Sequence, residues 1–237
     1  ERRNRMKKVA IVGFGQTGQF APWEDKSVEI WGMNDLYDSI PRWDRWFDIH
    51  DWKTISDVRQ NRSKSVRTEK YKTMECPVYC MEAWEEIPNA VKYPLEEIQA
   101  KFCGGKKGYF TNQVSYMIAF ALHEGFDEIG LYGIDMLIDT EYSIQRPSVE
   151  YWIGIAAGMG KRIIIPDGST LLKTRFQYAY DQAEHDHFVE MYKMKIEFWQ
   201  RKKEEAEAVI AENNRLVDQY LGAIHATESL LKEWDNV

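Results

Sequence analysis

The chain has 237 residues, 44% of them apolar and 14% aromatic with nine Trp, and a formal net charge of −7. These values exclude a disordered polymer, and no apolar run approaches the roughly 18 residues of a membrane span. From Phe176 onward 13 acidic side chains face 7 basic ones, so the tail carries most of the negative charge and repels nucleic acid.

Glu1–Arg5, ahead of Met6, is a short basic lead-in and is set aside from fold reasoning. The first element is "KKVAIV" (Lys7–Val12), an apolar run that ends at glycine and reads as a buried parallel strand. Gly13, Gly15 and Gly18 then complete a G-x-G-x-x-G. In a dinucleotide fold a full crossover helix follows the third glycine. Here only nine residues, Gln19–Ser27, precede the next strand, and they include Pro22, which lacks the amide a helix interior needs. The NAD reading fails on that geometry. A phosphate cradle of backbone amides, helped by the Gln16 and Thr17 side chains, and a purely structural tight turn both remain open.

Val28–Gly32 is the second strand, running into Asn34 and Asp35. Trp43–Ile49 alternates bulky and charged residues and is the third, followed at its end by Asp48, His50 and Asp51. Residues 51–108 read as an irregular insertion with one plausible strand at "PVYCM". Its Cys76 and Cys80, with Cys103, fit a reduced, cytoplasmic protein, and a zinc site would need a fourth ligand. No metal site is expected from them.

"CGGKKGYFTNQ" (Cys103–Gln113) is the Gly-Lys-rich loop. Its spacing is not that of a Walker motif, and it reads either as a surface loop or as a lid that brings Lys106 and Lys107 to a phosphate. Thr111 and Asn112 stand at the start of the helix of Asn112–His123, which Gly125 ends, and either cap it or present its amides to an anion, two compatible roles. "FDEIGLYGID" is the next buried strand, with Gly133 and Asp135 at its end. Glu141, Tyr142, Gln145 and Arg146 follow it, and a helix begins at Pro147. Arg146 before a helix start suits a phosphate or carboxylate, and a surface ion pair is the plain alternative. "KRIIIPDGS" closes the body with a further strand. The expected fold is an α/β, Rossmann-like open parallel sheet with helices on both faces, over residues 7–175.

Residues 176–237 form the tail. Tyr192, Ile196, Trp199, Lys203, Ala206, Ile210, Asn213, Val217, Tyr220, Ile224, Thr227, Leu231 and Trp234 alternate steps of four and three. This is heptad spacing, with polar Lys203 and Asn213 in the seam. It predicts a coiled-coil-like helix that joins copies of the chain into a homo-oligomer, or a helix or helical hairpin packed back on the body.

Ligands of open parallel sheets bind at the carboxyl ends of the strands, and Gly13, Asn34, His50 and Asp135 all fall there. "VGFGQTG", "GMND", "TNQVSYMIAFAL" with "GFDEIGLYGID", and "IIIPDGSTLL" together resemble the sialyltransferases of glycosyltransferase family 42. They also resemble related domains of motility accessory factors and archaeal pterin diphosphokinases. The whole chain, tail included, looks like proteins encoded by tailed bacteriophages, which would place it in the host cytoplasm. The first resemblance implies a cytidine nucleotide-sugar site at Gly13, Gly15, Asn34, Thr111, Asn112, Gly133 and Asp135. The family's general base is a histidine after the "GID" strand. This chain has Glu141 or Tyr142 there, so Glu141 and His50 are the candidate bases. The expected activity is glycosyl transfer from a nucleotide sugar, with Arg146 and Lys106 compensating charge. A phosphoryl or diphosphoryl transferase, with Mg held by Asp35, Asp48 or Asp135, is the alternative enzyme. A non-catalytic nucleotide-binding or structural oligomer is the third reading.

Overall fold

The computed structural model describes residues 6–51, 66–136, 142–173 and 185–234. The chain divides into two compact units at residues 173 and 174. The first is built on a seven-stranded, all-parallel sheet. In chain order its strands are β1 (Lys8–Val12), β2 (Val28–Met33), β3 (Arg45–Asp48), β4 (Val78–Cys80), β5 (Ala90–Lys92), β6 (Glu128–Tyr132) and β7 (Arg162–Ile164). Across the sheet they run β5-β4-β3-β2-β1-β6-β7. The chain winds outward from β1 in one direction to β5, then returns to add β6 and β7 on the other side. The strand order therefore reverses between β1 and β6, where an open sheet of this Rossmann-like kind leaves its ligand crevice.

Alternation along each strand sends successive side chains to opposite faces. Val9 and Ile11 of β1, Trp31 and Met33 of β2, and Phe47 of β3 join one apolar cluster. Ala10, Val12, Ile30 and Trp46 join the other. Helices cover the first face: α2 (Leu95–Phe102), α3 (Gln113–His123) and α4 (Tyr142–Gly158) contribute Ile98, Met117, Ile118, Val149 and Trp152. Among the described residues the second face is covered by 3-10 turns at Gln16–Phe20 and Leu36–Asp38 and by α1, helical over 66–72. Trp46, fully buried there, occupies space that only a glycine opposite leaves free. A Cβ on Gly32 would sit 2.1 Å from its ring.

The insertion is more regular than its sequence suggests. Beside the expected strand at "PVYCM" it contains α1, α2 and the edge strand β5. β5 has three residues, mostly exposed, and so lacks the apolar run that marks the central strands. α4 begins at Tyr142, five residues before Pro147, which lies inside the helix. α3 matches its expected start: the Asn112 side chain accepts from Ser115 N at 2.9 Å, and Gly125, at φ +77°, follows its end.

The second unit contains α5 (His185–Trp234), one uninterrupted helix of 50 residues. The hairpin alternative is thereby corrected, because no turn breaks the heptads. Its seam lies open to solvent, with Ile210 59% and Trp199 59% exposed. No described helix is long and apolar enough to cross a membrane.

Candidate functional site

Parallel strands place all their carboxyl ends on one edge, and two polar clusters form there. The first lies at the β1/β6 switch point. Gly13 N donates to Tyr132 O at 2.8 Å and Gly15 N to Gly133 O at 2.7 Å. Thr17 Oγ1 donates to Asp135 and accepts from Gly133 N at 2.8 Å, while Thr17 N donates to the same carboxylate at 3.3 Å. The loops approach so closely that a Cβ on Gly13 would lie 2.6 Å from Gly133 O, and one on Gly15 2.6 Å from Asp135 Oδ2. Gly133 itself needs a left-handed φ of +66°. Gly18 is different, since a Cβ there would meet nothing nearer than 3.5 Å.

The glycine motif thus fastens two loops together. Thr17 is 2% exposed and Asp135 9%, so the Thr17 hydroxyl and the Asp135 carboxylate face each other rather than an outside phosphate or nucleoside. Among the described residues the amides of Phe14 and Gln16 are the ones in this turn left without a protein acceptor. The closing segment "PDGSTLL" braces the arrangement: Ser169 Oγ donates to Ile134 O at 2.8 Å, and Thr170 Oγ1 reaches Asp135 O at 2.5 Å. Sequence reasoning gave Ser169 and Thr170 no role.

The second cluster lies beyond β2 and β3. Asp48 and His50 are two residues apart at a strand end, so their side chains leave on the same face. Asp48 is 0% exposed, and one of its oxygens meets His50 Nδ1. The other accepts from Tyr71 Oη at 2.8 Å and lies 3.4 Å from Arg67 Nη1. Arg67 and Tyr71 are four apart on α1 and so share one face of it. Arg67 also clasps Asp35 through Nε and, at 2.5 Å, through Nη2. Burial opposes the Arg67 charge, but the hydrogen bond to Asp35 and the charges of Asp48 and Asp35 outweigh it and hold its pKa above the ordinary value. Burial, then the Asp48 charge, pushes the Tyr71 phenol far above its usual range, which keeps it a donor. The His50 side chain is 44% exposed. Neither Arg67 nor Tyr71 was anticipated; the i, i+4 spacing inside "RTEKY" was the available signal.

Asn34 stands between the clusters, at the end of β2 in the left-handed region with φ +51°. Its N–H donates to Phe47 O and its carbonyl accepts from Trp46 Nε1, with the Tyr71 hydroxyl, shared with Asp48, 3.1 Å from the same oxygen, while its Oδ1 is buried without a donor among the described residues. Gln113, at the start of α3, accepts from Ile49 N at 2.9 Å, and its Nε2 is buried without an acceptor.

Several of the remaining candidates make contacts within the scaffold. Thr111 and Asn112 tie α3 to α4 through Gln145 O and Ser148 Oγ. Gln145 takes part in this through its backbone carbonyl. Arg146 donates to Glu150 at 2.7 Å and to Lys173 O at 3.1 Å, which is the ion-pair alternative rather than a free anion contact. Lys106 is exposed on a loop that turns at Gly104 and Gly105, φ +60° and +74°. Glu141 and the Tyr142 side chain lie outside the described residues. Asp35, Asp48 and Asp135, the ligands a metal-dependent transferase would use, all face protein donors, and no described group of three His, Cys, Asp or Glu side chains is arranged to hold a metal. The three cysteines are free, and burial pushes the Cys80 thiol up to about 12 and Cys76 to about 11.

No protein-family model matches the chain, and no curated protein sequence matches it. Solved structures do. The sialyltransferase CstII from Campylobacter jejuni, in complex with the substrate analogue CMP-3FNeuAc, aligns with a TM-score of 0.44 at 16% identity over 68% of this chain and 80% of that one. The same enzyme with cytidine-5'-monophosphate aligns at 0.42 and 16% identity over 68% and 79%. The sialyltransferase CST-II with a trisaccharide acceptor and CMP aligns at 0.44 and 15% identity over 67% and 80%.

Proposed function

We propose that the body is a glycosyltransferase-like enzyme that takes its donor as a nucleotide sugar at the carboxyl edge of the sheet, with His50 as general base. The observation that carries this reading is the half-exposed His50 imidazole, hydrogen-bonded to the wholly buried Asp48 on that edge. β3 stands two strands from β1, so about 10 Å separates the end of β1, beside the switch point, from the end of β3 that leads to His50. A nucleotide sugar spans such a gap. With the nucleotide over the switch point, its sugar lies above β2 and the acceptor hydroxyl beside His50. Nε2 takes the hydroxyl proton as the acceptor oxygen bonds to the anomeric carbon. The bond from that carbon to the donor phosphate breaks, and its electron pair leaves with the nucleotide. Asn34 Oδ1, buried and lacking a donor, is the acceptor left for an N–H or O–H of the ligand.

Thermal stability measured against CMP, UDP and a panel of cytidine and uridine sugar nucleotides, with and without magnesium, tests the reading. A ligand at about 100 times its Kd adds roughly 2.7 kcal/mol. A shift that Asn34→Ala abolishes and His50→Ala preserves is the expected result, with His50→Ala lowering transfer by about 10²–10⁴-fold. No shift with any nucleotide overturns it.

For the tail we infer self-association. Its exposed heptad seam runs from Tyr192 to Trp234, about 60 Å at 1.5 Å per residue. A partner that follows a straight 3.5-residue repeat over that length is itself a helix with the same repeat, and a second copy of α5 provides one. Light scattering of the full chain, against a variant carrying Ile210→Asp and Ile224→Asp, tests this. A monomeric wild type overturns it.

A further inference from the structure

We propose that Asp48 is a positioning residue that fixes the tautomer of His50, with Tyr71 and Arg67 fixing Asp48 in turn. The catalytic meaning of this rests on the reading of His50 as the base, but the tautomer itself does not. A carboxylate only accepts hydrogen bonds. The hydrogen between Asp48 Oδ1 and His50 therefore sits on Nδ1, and Nε2 keeps its lone pair, with no partner among the described residues. A second chain of contacts holds the carboxylate from behind. Tyr71 Oη reaches its other oxygen at 2.8 Å, and Arg67 Nη1 lies 3.4 Å from the same atom while its Nε and Nη2 are anchored on Asp35. Asp48 is 0% exposed, so water does not compete for these contacts.

This arrangement makes a specific demand on an isosteric replacement. In Asp48→Asn the side chain has one oxygen and one amide group to present. Arg67 can only donate, and it lies on the side of the carboxylate away from His50, so the amide oxygen turns toward Arg67 and the NH₂ toward His50. A donor facing Nδ1 forces the hydrogen onto Nε2, the nitrogen a base would use. A carboxylate that merely filled space would leave the imidazole free to choose.

The imidazole nitrogens of 15N-histidine-labelled full-length protein report this directly in long-range 1H–15N NMR, recorded at a pH where the ring is neutral. The expected result is one His50 tautomer with hydrogen on Nδ1 in the wild type, replaced by the Nε2–H form in Asp48→Asn. A wild-type His50 carrying its hydrogen on Nε2, or an even mixture, overturns the proposal, as does an Asp48→Asn protein with the wild-type tautomer. Should Asp48→Asn fail to fold, Tyr71→Phe replaces it. That variant keeps the carboxylate and must keep Nδ1–H; any other tautomer overturns the proposal. The two readings fail separately. A fixed Nδ1–H tautomer in a protein that binds no nucleotide sinks the transferase alone, and an Nε2–H wild type sinks the positioning role even in an active enzyme. Where transfer is detected, Asp48→Asn lowers kcat by about 10²–10⁴-fold with KM little changed.

Discussion

Asp135 follows β6 and Asp48 ends β3, both on the carboxyl edge of one sheet and both almost wholly out of water. Asp135 is met by Thr17, which is itself buried and is joined to a turn whose Gly13 and Gly15 amides bind the opposite loop. That cluster closes on itself. Asp48 is met by His50, whose ring is half in solvent, with Tyr71 and Arg67 supporting the carboxylate from inside. The same residue type at the same edge therefore has opposite consequences, and the difference lies in what its partner touches next. A carboxylate whose partners are all inside makes a joint, whereas one with a partner at the surface holds a side chain that solvent reaches.

The sharpest way to break the comparison is Gly133→Ala. Its Cβ would lie 2.3 Å from Gly13 O on a residue already at φ +66°, and both features oppose it. Denaturant unfolding should show a loss of at least about 3 kcal/mol. Thr17→Val keeps the shape but removes the hydroxyl that serves Asp135 and Gly133 N together. A loss of about 1–3 kcal/mol is expected by the same measurement, with Thr17→Ser close to wild type. Tyr71→Phe takes one donor from Asp48 and should cost about 1 kcal/mol. His50→Ala is the decisive contrast with Thr17→Val: water can replace a half-exposed ring, so unfolding should move by less than about 1 kcal/mol. A His50→Ala cost equal to that of Thr17→Val would erase the distinction between joint and site.

The smallest effect belongs to a control at the opposite edge. Asp127, before β6, accepts from Lys161 Nζ and Lys7 N, both at 3.0 Å. The hydrogen bonds from Lys161 and then Lys7 hold its pKa below the ordinary carboxylate value. A group whose folded pKa is depressed stabilises fully above its unfolded pKa and loses that contribution as pH falls through the folded one. Asp127→Asn should therefore be slightly less stable at neutral pH, and the gap should close on acidification. Asp127 is half-exposed, so the effect is small. A gap that widens in acid would contradict it.

The sequence by itself determined the sheet's central strands, because "KKVAIV", "VEIWG" and "FDEIGLY" are apolar runs too short for helices and punctuated by glycine. It determined α3 through its Asn112 cap and Gly125 stop, and the continuous heptads of the tail. It also brought Gly13, Asn34, His50 and Asp135 to one edge, since parallel strands leave no other arrangement. What it could not determine was which of these faces a ligand and which faces its neighbour. G-x-G-x-x-G promises close approach but does not say to what, and here Gly13 and Gly15 approach Gly133 and Asp135, over a hundred residues away in the chain. The support behind His50 was out of reach for a similar reason. Arg67 and Tyr71 sit in a stretch with no apolar period, on a helix whose place over Asp48 is fixed only when β4 adds to β3 and folds the insertion back. Local pattern determines elements because their hydrogen bonds close within a few residues or along a strand pair. Which polar groups end up satisfied is decided by contacts distant in sequence, and only the tertiary structure brings those together.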